Sequence, residues 1–215
     1  MNPSLDAPLS ARLRDATRDD HRRAETRPFV RDLLRGELER EAYVCLLRDL
    51  FEIYYGLEAG LDALDPGVLP AVVTARALRR TATLAHDLEA LHGADWETAL
   101  APTAAARAYR DELEGLASSP TPHLLAAHAY VRYMGDLSGG QAIGRVVAKA
   151  YGLGPEAGLA FYSFPDIADV GDFKGRFRDA LDALGRRIDS DRMVEEARAA
   201  FRRNGAVFDA LHRAR

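Results

Sequence analysis

The chain has 215 residues, 29 of them basic and 33 acidic, for a formal net charge of -4. That length suits one domain, residues 1–215, with a sizeable buried core, and the near balance of charge excludes a global basic surface for nucleic acid. A single cysteine, Cys45, excludes an internal disulfide and cysteine-rich metal sites and fits a reducing cytoplasm.

The apolar periodicity is helical throughout, with no alternating run bounded by hairpin turns, so the fold class is all-α. Residues 1–9 are expected to be flexible. Ser10 is placed as the cap of a first helix that carries Leu13, Ala16 and Ala24 and stops near Pro28. A short helix, Phe29 to Arg35, ends at Gly36. A long one follows, with Tyr43, Leu47, Leu50, Tyr54, Leu57, Leu61 and Leu64 at threes and fours, broken by Asp65-Pro-Gly67. Further helices are expected from Val72 to His92, from Thr103 to Leu116, and from Thr121, with Pro122 as first residue, through to Ala150. After a connector from Gly152 to Pro165 come a helix near Asp172 to Leu184 and a final one from Asp191 to about Leu211. No stretch approaches the roughly eighteen apolar residues a membrane helix needs, and Met1-Asn-Pro-Ser-Leu-Asp6 lacks the basic start of a leader. Ala210-Leu-His-Arg-Ala-Arg215 cannot anchor a membrane. The expectation is a soluble cytoplasmic protein.

The helix from Thr121 to Ala150 carries the most information. Within His128-Ala-Tyr-Val-Arg-Tyr-Met-Gly-Asp-Leu-Ser-Gly-Gly-Gln141 glycines interrupt an apolar-periodic segment. Together Gly135, Gly139, Gly140 and Gly144 give up roughly 2 to 4 kcal/mol of helix propensity relative to alanine. Gly135 and Gly139, four apart, leave one face bare. That face admits either a flat ligand or another helix through a small-residue seam. Arg132 and Asp136 stand beside it at i and i+4, with Tyr130 and Tyr133 flanking.

This segment resembles the distal-helix signature of the heme oxygenases. The resemblance extends in the family's order to Asp20-His21, Leu50-Phe-Glu-Ile-Tyr-Tyr55, Phe161-Tyr-Ser-Phe-Pro165 and Phe201-Arg-Arg-Asn-Gly-Ala-Val-Phe208, nearly the whole chain. It implies a helical bundle holding heme between the first helix and a glycine-kinked distal helix that passes over the ring through Gly135, Gly139 and Gly140.

By the same resemblance His21 is the iron ligand, although a lone histidine on a helix is more often structural. Glu25, one turn on, is the acceptor that fixes its tautomer. Arg14 and Arg18 fall on the same stripe as His21 and are expected at one heme propionate, with Lys174 and Arg178 at the second. Asp136 matches the aspartate that delivers protons through ordered water, with Arg132 and Tyr54 holding that network. Tyr130, Asn204 and Phe208 are expected to line the pocket. The bland alternative for Arg132 and Asp136 is an ordinary helical ion pair worth a few tenths of a kcal/mol. His128 is expected to have a hydrogen-bonding role rather than to act as ligand or base. Glu89-Ala-Leu-His92 matches one Glu-x-x-His element of di-iron bundles, which need two.

The implied reaction is oxidative cleavage of heme, at once substrate and prosthetic group, to biliverdin, carbon monoxide and ferrous iron, with α-meso cleavage expected. It consumes O2 and electrons supplied from outside. No flavin or nucleotide motif is present, so the electrons are expected from a ferredoxin, flavodoxin or reductase docking near the basic heme edge. Three alternatives remain. A non-catalytic heme carrier or sensor would not need Asp136 or the glycine strip. A thiaminase-like hydrolase of the same superfamily would need a nucleophilic cysteine in the pocket, and Cys45 lies off its helix's apolar stripe. A helical interaction module would leave the glycines unexplained.

Overall fold

The computed structural model describes residues 7–154 and 158–215, and among these every regular element is helical. The elements are α1 (Leu9–Glu25), α2 (Pro28–Arg35), α3 (Arg40–Asp62), α4 (Thr81–His92), α5 (Trp96–Ala99), α6 (Ala104–Ala117), α7 (Leu125–Gly135), α8 (Gln141–Tyr151), α9 (Val170–Gly185) and α10 (Ser190–Arg213). Single 3-10 turns lie at Arg76–Leu78, Pro122–Leu124 and Ala160–Tyr162, and a five-residue π turn, Asp136–Gly140, joins α7 to α8. Of the terminus expected to be flexible, residues 1–6 lie outside the described residues, whereas Leu9 opens α1 and is buried.

α3 is the central post. Its apolar residues Tyr43, Leu47, Tyr54 and Leu57 are fully enclosed, and α4, α6 and α7 pack around it. A Cβ on Gly56 would lie 2.7 Å from Cγ of Arg110 and 3.0 Å from its Cα, so α6 crosses α3 where that glycine leaves room. α1 and α10 pair along their lengths and, with α9, form the opposite wall.

Several helix ends differ from the sequence reading, each for a tertiary reason. Ser10 does not cap α1. Pro8 precedes the helix and its carbonyl accepts from Ala11 and Arg12, while the Ser10 N–H and hydroxyl donate to Asp182 on α9 at 2.7 and 3.1 Å. α4 starts at Thr81 rather than Val72, because the Glu58 carboxylate on α3 takes the N–H groups of Arg80 (2.5 Å) and Thr81 (3.3 Å). Gly36 ends α2 with φ 69°, as expected of a left-handed helix stop. Thr103 caps α6 through a bond from the Ala106 N–H.

The largest correction concerns the segment expected as one helix from Thr121 to Ala150. Thr121 and Pro122 lead into a 3-10 turn, and the helix proper is divided by the π turn at the glycines. A π turn carries an extra residue per turn and bends the axis, and two of its five residues are glycine.

Candidate functional site

A cavity of about 920 Å³ lies between α1 on one side and α7, the π turn and α8 on the other, with α9 and α10 also contributing to its walls. That is near the upper end of the range for small-molecule sites, roughly 300 to 1,000 Å³. From α1 it is lined by Arg14, Arg18, His21 and Glu25. From the facing wall come Tyr130, Arg132, Gly135, Asp136, Gly139 and Gly140. Lys174 and Arg178 project from α9, and Asn204 and Phe208 from α10. The fold thus gathers residues that lie up to about two hundred positions apart in sequence.

Space around the glycines separates the two readings of the bare strip. Among the described residues nothing lies within 4 Å of a Cβ placed on Gly135 or Gly139, so none of their backbone covers that face and it opens into the cavity. Helix packing explains other glycines: Gly56 and Gly60 on α3, and Gly144, whose Cβ would sit 3.2 Å from three atoms of Tyr162. Gly140 is intermediate. It lines the cavity, yet a Cβ there would lie 3.6 Å from the Tyr162 ring.

Asp136 opens the π turn and stands at the centre of a buried network. Tyr54, fully enclosed and absent from the cavity lining, donates its hydroxyl to Asp136 Oδ2. Arg132 Nη2 lies 3.8 Å from Asp136 Oδ1, and its other nitrogens donate to Tyr54 (3.2 Å) and to Asn204 Oδ1 (2.9 Å). The Arg132 guanidinium also lies 4.9 Å from the centroid of the Tyr54 ring. Burial pushes the Asp136 carboxyl above its ordinary value, and Arg132 and the Tyr54 hydrogen bond pull it only part of the way back. Burial likewise raises the Tyr54 hydroxyl well above its usual range, so it remains a donor. Asn204 is itself fixed by donating to Ala200 O at 2.8 Å. The arrangement is more than a surface ion pair: a carboxyl ready to accept a proton is held at a fixed place on the cavity wall.

A pH prediction follows from the raised Asp136 value. The folded protein holds that proton to higher pH than the unfolded chain, whose value is near 3.8. The stability contributed by protonated Asp136 is therefore complete below that value and is lost as pH rises through the folded one. Asp136→Asn, which cannot ionise, should gain stability relative to the parent as pH rises through that window, at up to about 1.4 kcal/mol per pH unit. Urea midpoints measured from pH 3 to 7 check this, and a difference that stays flat with pH would contradict it.

On the opposite wall His21 Nδ1 faces Glu25 Oε2 at 3.4 Å, and the imidazole meets Phe201 edge to face, with centroids 5.9 Å apart. Glu25 beside Nδ1 favours the proton there and leaves Nε2 with its lone pair for a metal. Arg14 and Arg18 are exposed and both reach Asp15, at 3.2 and 2.7 Å. Lys174 Nζ donates to Ser138 Oγ in the π turn at 2.7 Å, and Arg178 Nε donates to the Lys174 carbonyl. With Arg132, five cationic side chains therefore line the cavity, four of them on α1 and α9.

His128 stands apart from the cavity. It is fully buried, with the Tyr109 hydroxyl at 2.9 Å from Nδ1 and Glu196 at 2.9 Å from Nε2. Tyr133, expected to flank the strip, turns away to Glu58 at 3.4 Å. Cys45 is exposed and outside the cavity lining. The sequence reading did not single out Ser138, Met134, Phe161, Tyr162 or Phe201 as lining residues. Ser138 could have been found from its place inside the signature, two residues after Asp136. Phe161 and Tyr162 stood in an aromatic cluster whose partners lie too far off in sequence to be read.

Comparison with known proteins agrees with this geometry. The family model described as Heme oxygenase matches residues 7–210. The chain is 35% identical over 206 residues to heme oxygenase 1 of Nostoc sp., covering 94% of this chain and 85% of that protein. It is 37% identical over 209 residues to heme oxygenase 2 of Synechocystis sp., covering 94% and 82%. The crystal structure of heme oxygenase-1 from Synechocystis sp. in complex with heme superposes with a TM-score of 0.88 at 33% identity, over 97% of this chain and 96% of that one. By fold, by sequence and by the cavity between α1 and the π turn, this chain belongs to the heme oxygenase family.

Proposed function

We propose that the chain binds heme in the cavity between α1 and the π turn and cleaves it oxidatively, with His21 as the iron ligand and Asp136 as the proton-carrying group. The observation that carries this is the pairing of the two across one cavity: a histidine with a free Nε2 on one wall, and a bare glycine face beside a buried carboxyl on the other. The residues present fit the group. Gly135 and Gly139 leave open the space a flat macrocycle needs, and Arg14, Arg18, Lys174 and Arg178 suit two propionates. Bound heme supplies the iron on which O2 is reduced and the porphyrin carbon that is oxidised, giving biliverdin, carbon monoxide and ferrous iron.

The chain's own residues do the rest. Asp136 holds or releases a proton at its carboxyl, at a pH set by burial against Arg132 and Tyr54. Tyr54 orients that carboxyl through Oδ2, and Asn204 keeps Arg132 from swinging away. Phe161, Phe201 and Phe208 contribute apolar surface that excludes water from the ring face. Hemin and a reductant added under air should convert the heme absorption into a bilin spectrum. Heme that stays bound and intact through that treatment would favour a carrier or sensor instead.

The electrons are drawn from a separate protein, a ferredoxin, flavodoxin or reductase. Against a net charge of -4, the cluster of Arg14, Arg18, Lys174 and Arg178 is a local positive field suited to an acidic donor. No helix among the described residues is long and apolar enough to cross a membrane, and the single cysteine supports a cytoplasmic location.

Regiochemistry depends on how the propionates fix the in-plane rotation of the ring. With cations on both α1 and α9, the expected product is the α isomer. Lys174→Glu combined with Arg178→Glu repels the propionates on the α9 side and should give mixed isomers. Chromatography of the bilins checks both statements, and a parent product dominated by the β or δ isomer would show that the anchors hold the ring differently.

A further inference from the structure

Two buried charged side chains have no part in the chemistry above. Arg80, at the start of α4, is 4% exposed and Asp87, two turns on, is 0% exposed. Among the described residues neither has an ion-pair partner; Asp87 is directed at the backbone of one short segment, and Arg80 reaches the same segment while also donating to the carbonyls of Leu78 (3.1 Å) and Ala77 (3.4 Å) just before α4. Asp87 accepts from the N–H groups of Ala160 (2.9 Å) and Phe161 (2.8 Å) through its two oxygens. Arg80 donates to the carbonyls of Phe161 (3.3 Å) and Ser163, and its guanidinium lies 3.9 Å from the centroid of the Phe164 ring. Tyr43 on α3 adds a bond to the Gly158 carbonyl at 2.9 Å. Charged side chains are costly to bury unless their polar atoms are bonded, and here those bonds hold the segment at Gly158, Ala160, Phe161 and Ser163.

The far side of the segment faces the catalytic wall. The Phe161 ring lines the cavity and meets Tyr54 edge to face at 5.6 Å. The Tyr162 ring backs the distal helix, in contact range of any Cβ placed on Gly140 or Gly144. We propose that Arg80 and Asp87 are positioning residues, bracing 158–164 so that Tyr162 buttresses the π turn and sets how closely Gly135, Gly139 and Asp136 stand to the heme. The idea rests on the heme-binding reading of the cavity, but its mechanical part is independent of turnover.

That part is tested on the heme-free protein by amide hydrogen exchange. Asp87→Asn keeps shape and one acceptor but sets an NH2 group against a backbone N–H, leaving a buried donor unsatisfied. Exchange across 158–164 and 136–144 should rise on the order of tenfold while α6 stays at its parent rate. Gly144→Ala pushes the Tyr162 ring from the other side and should loosen 136–144 in the same way. Tyr162→Phe, which keeps the ring, should leave 136–144 unchanged. On heme-loaded protein Asp87→Asn should also shift the ratio of bilin isomers, which a general loss of stability would not do. Faster exchange confined to 158–164 would mean that the two residues only anchor a loop, and a uniform rise that includes α6 would mean that they only stabilise the fold. Either result overturns the proposal. Should Asp87→Asn fail to fold, Tyr162→Leu decides: unchanged exchange at 136–144 in that variant removes the buttress.

Discussion

Asp136→Ala should bind heme normally and lose about two orders of magnitude of bilin formation, the lower end of what a positioned proton-transfer group contributes, roughly 10² to 10⁴. Binding should survive because Asp136 occupies one point of a wall whose bare strip, apolar rings and cations are untouched by the change. The chemistry should fail because the carboxyl is the titratable acid placed where Tyr54 and Arg132 can hold it. Truncation has a side effect on the fold. The Tyr54 hydroxyl loses its acceptor inside the protein, at a cost of about 1 to 3 kcal/mol, although Arg132 keeps its bonds to Tyr54 and Asn204. Asp136→Asn separates the two effects, since it restores an acceptor for Tyr54 but cannot carry a proton as a carboxyl does. Both variants should show heme consumed with little bilin. Biliverdin yields equal to the parent in both would remove Asp136 from proton delivery.

The distal signature was legible because its glycines sit in a helical pattern with a polar pair beside them, and the structure leaves that face open. What the pattern could not do was tell one bare strip from another. Gly56 and Gly60 on α3 are also four apart in a helix, and there the bare face takes α6 rather than a ligand. Spacing reports the absence of side chains, and only the fold reports what comes close. Helix starts were hidden for a related reason. The N–H groups at the start of α4 are satisfied by Glu58, more than twenty residues upstream on another helix, and Ser10 turns to Asp182 instead of capping its own helix. Tyr54 likewise reads as one more apolar position on α3. Its hydroxyl partner is 82 residues away, so its place beside Asp136 came from the family resemblance and not from periodicity. The family resemblance implies a kink at the glycines, but periodicity cannot tell a π turn from continuous helix because the side chains keep helical spacing on either side. The extra residue shows only in the backbone.

His21→Ala should remove the axial imidazole from bound heme with little effect on folding. The side chain is 56% exposed at the cavity edge, and its contacts are the edge of Phe201 and the Glu25 carboxylate at 3.4 Å. Surface changes of this kind usually move stability by no more than about 0.5 kcal/mol. Heme should still enter, more weakly, because Arg14, Arg18, Lys174, Arg178 and the apolar walls remain. No other histidine can take over. His128 is sealed between Tyr109 and Glu196, and His86, His92, His123 and His212 are absent from the cavity lining. The loaded variant should therefore lack a histidine-ligated spectrum and form almost no bilin. Added imidazole, small enough to occupy the space the side chain leaves, should restore the spectrum and part of the activity. Glu25 gives this a second arm: Glu25→Gln keeps a partner at Nδ1 but weakens its pull on the proton, so histidine ligation should persist with a shifted iron spectrum. A histidine signature that persists unchanged in His21→Ala, without added imidazole, would show that the iron is held from another residue and that α1 supplies only the ring's surroundings.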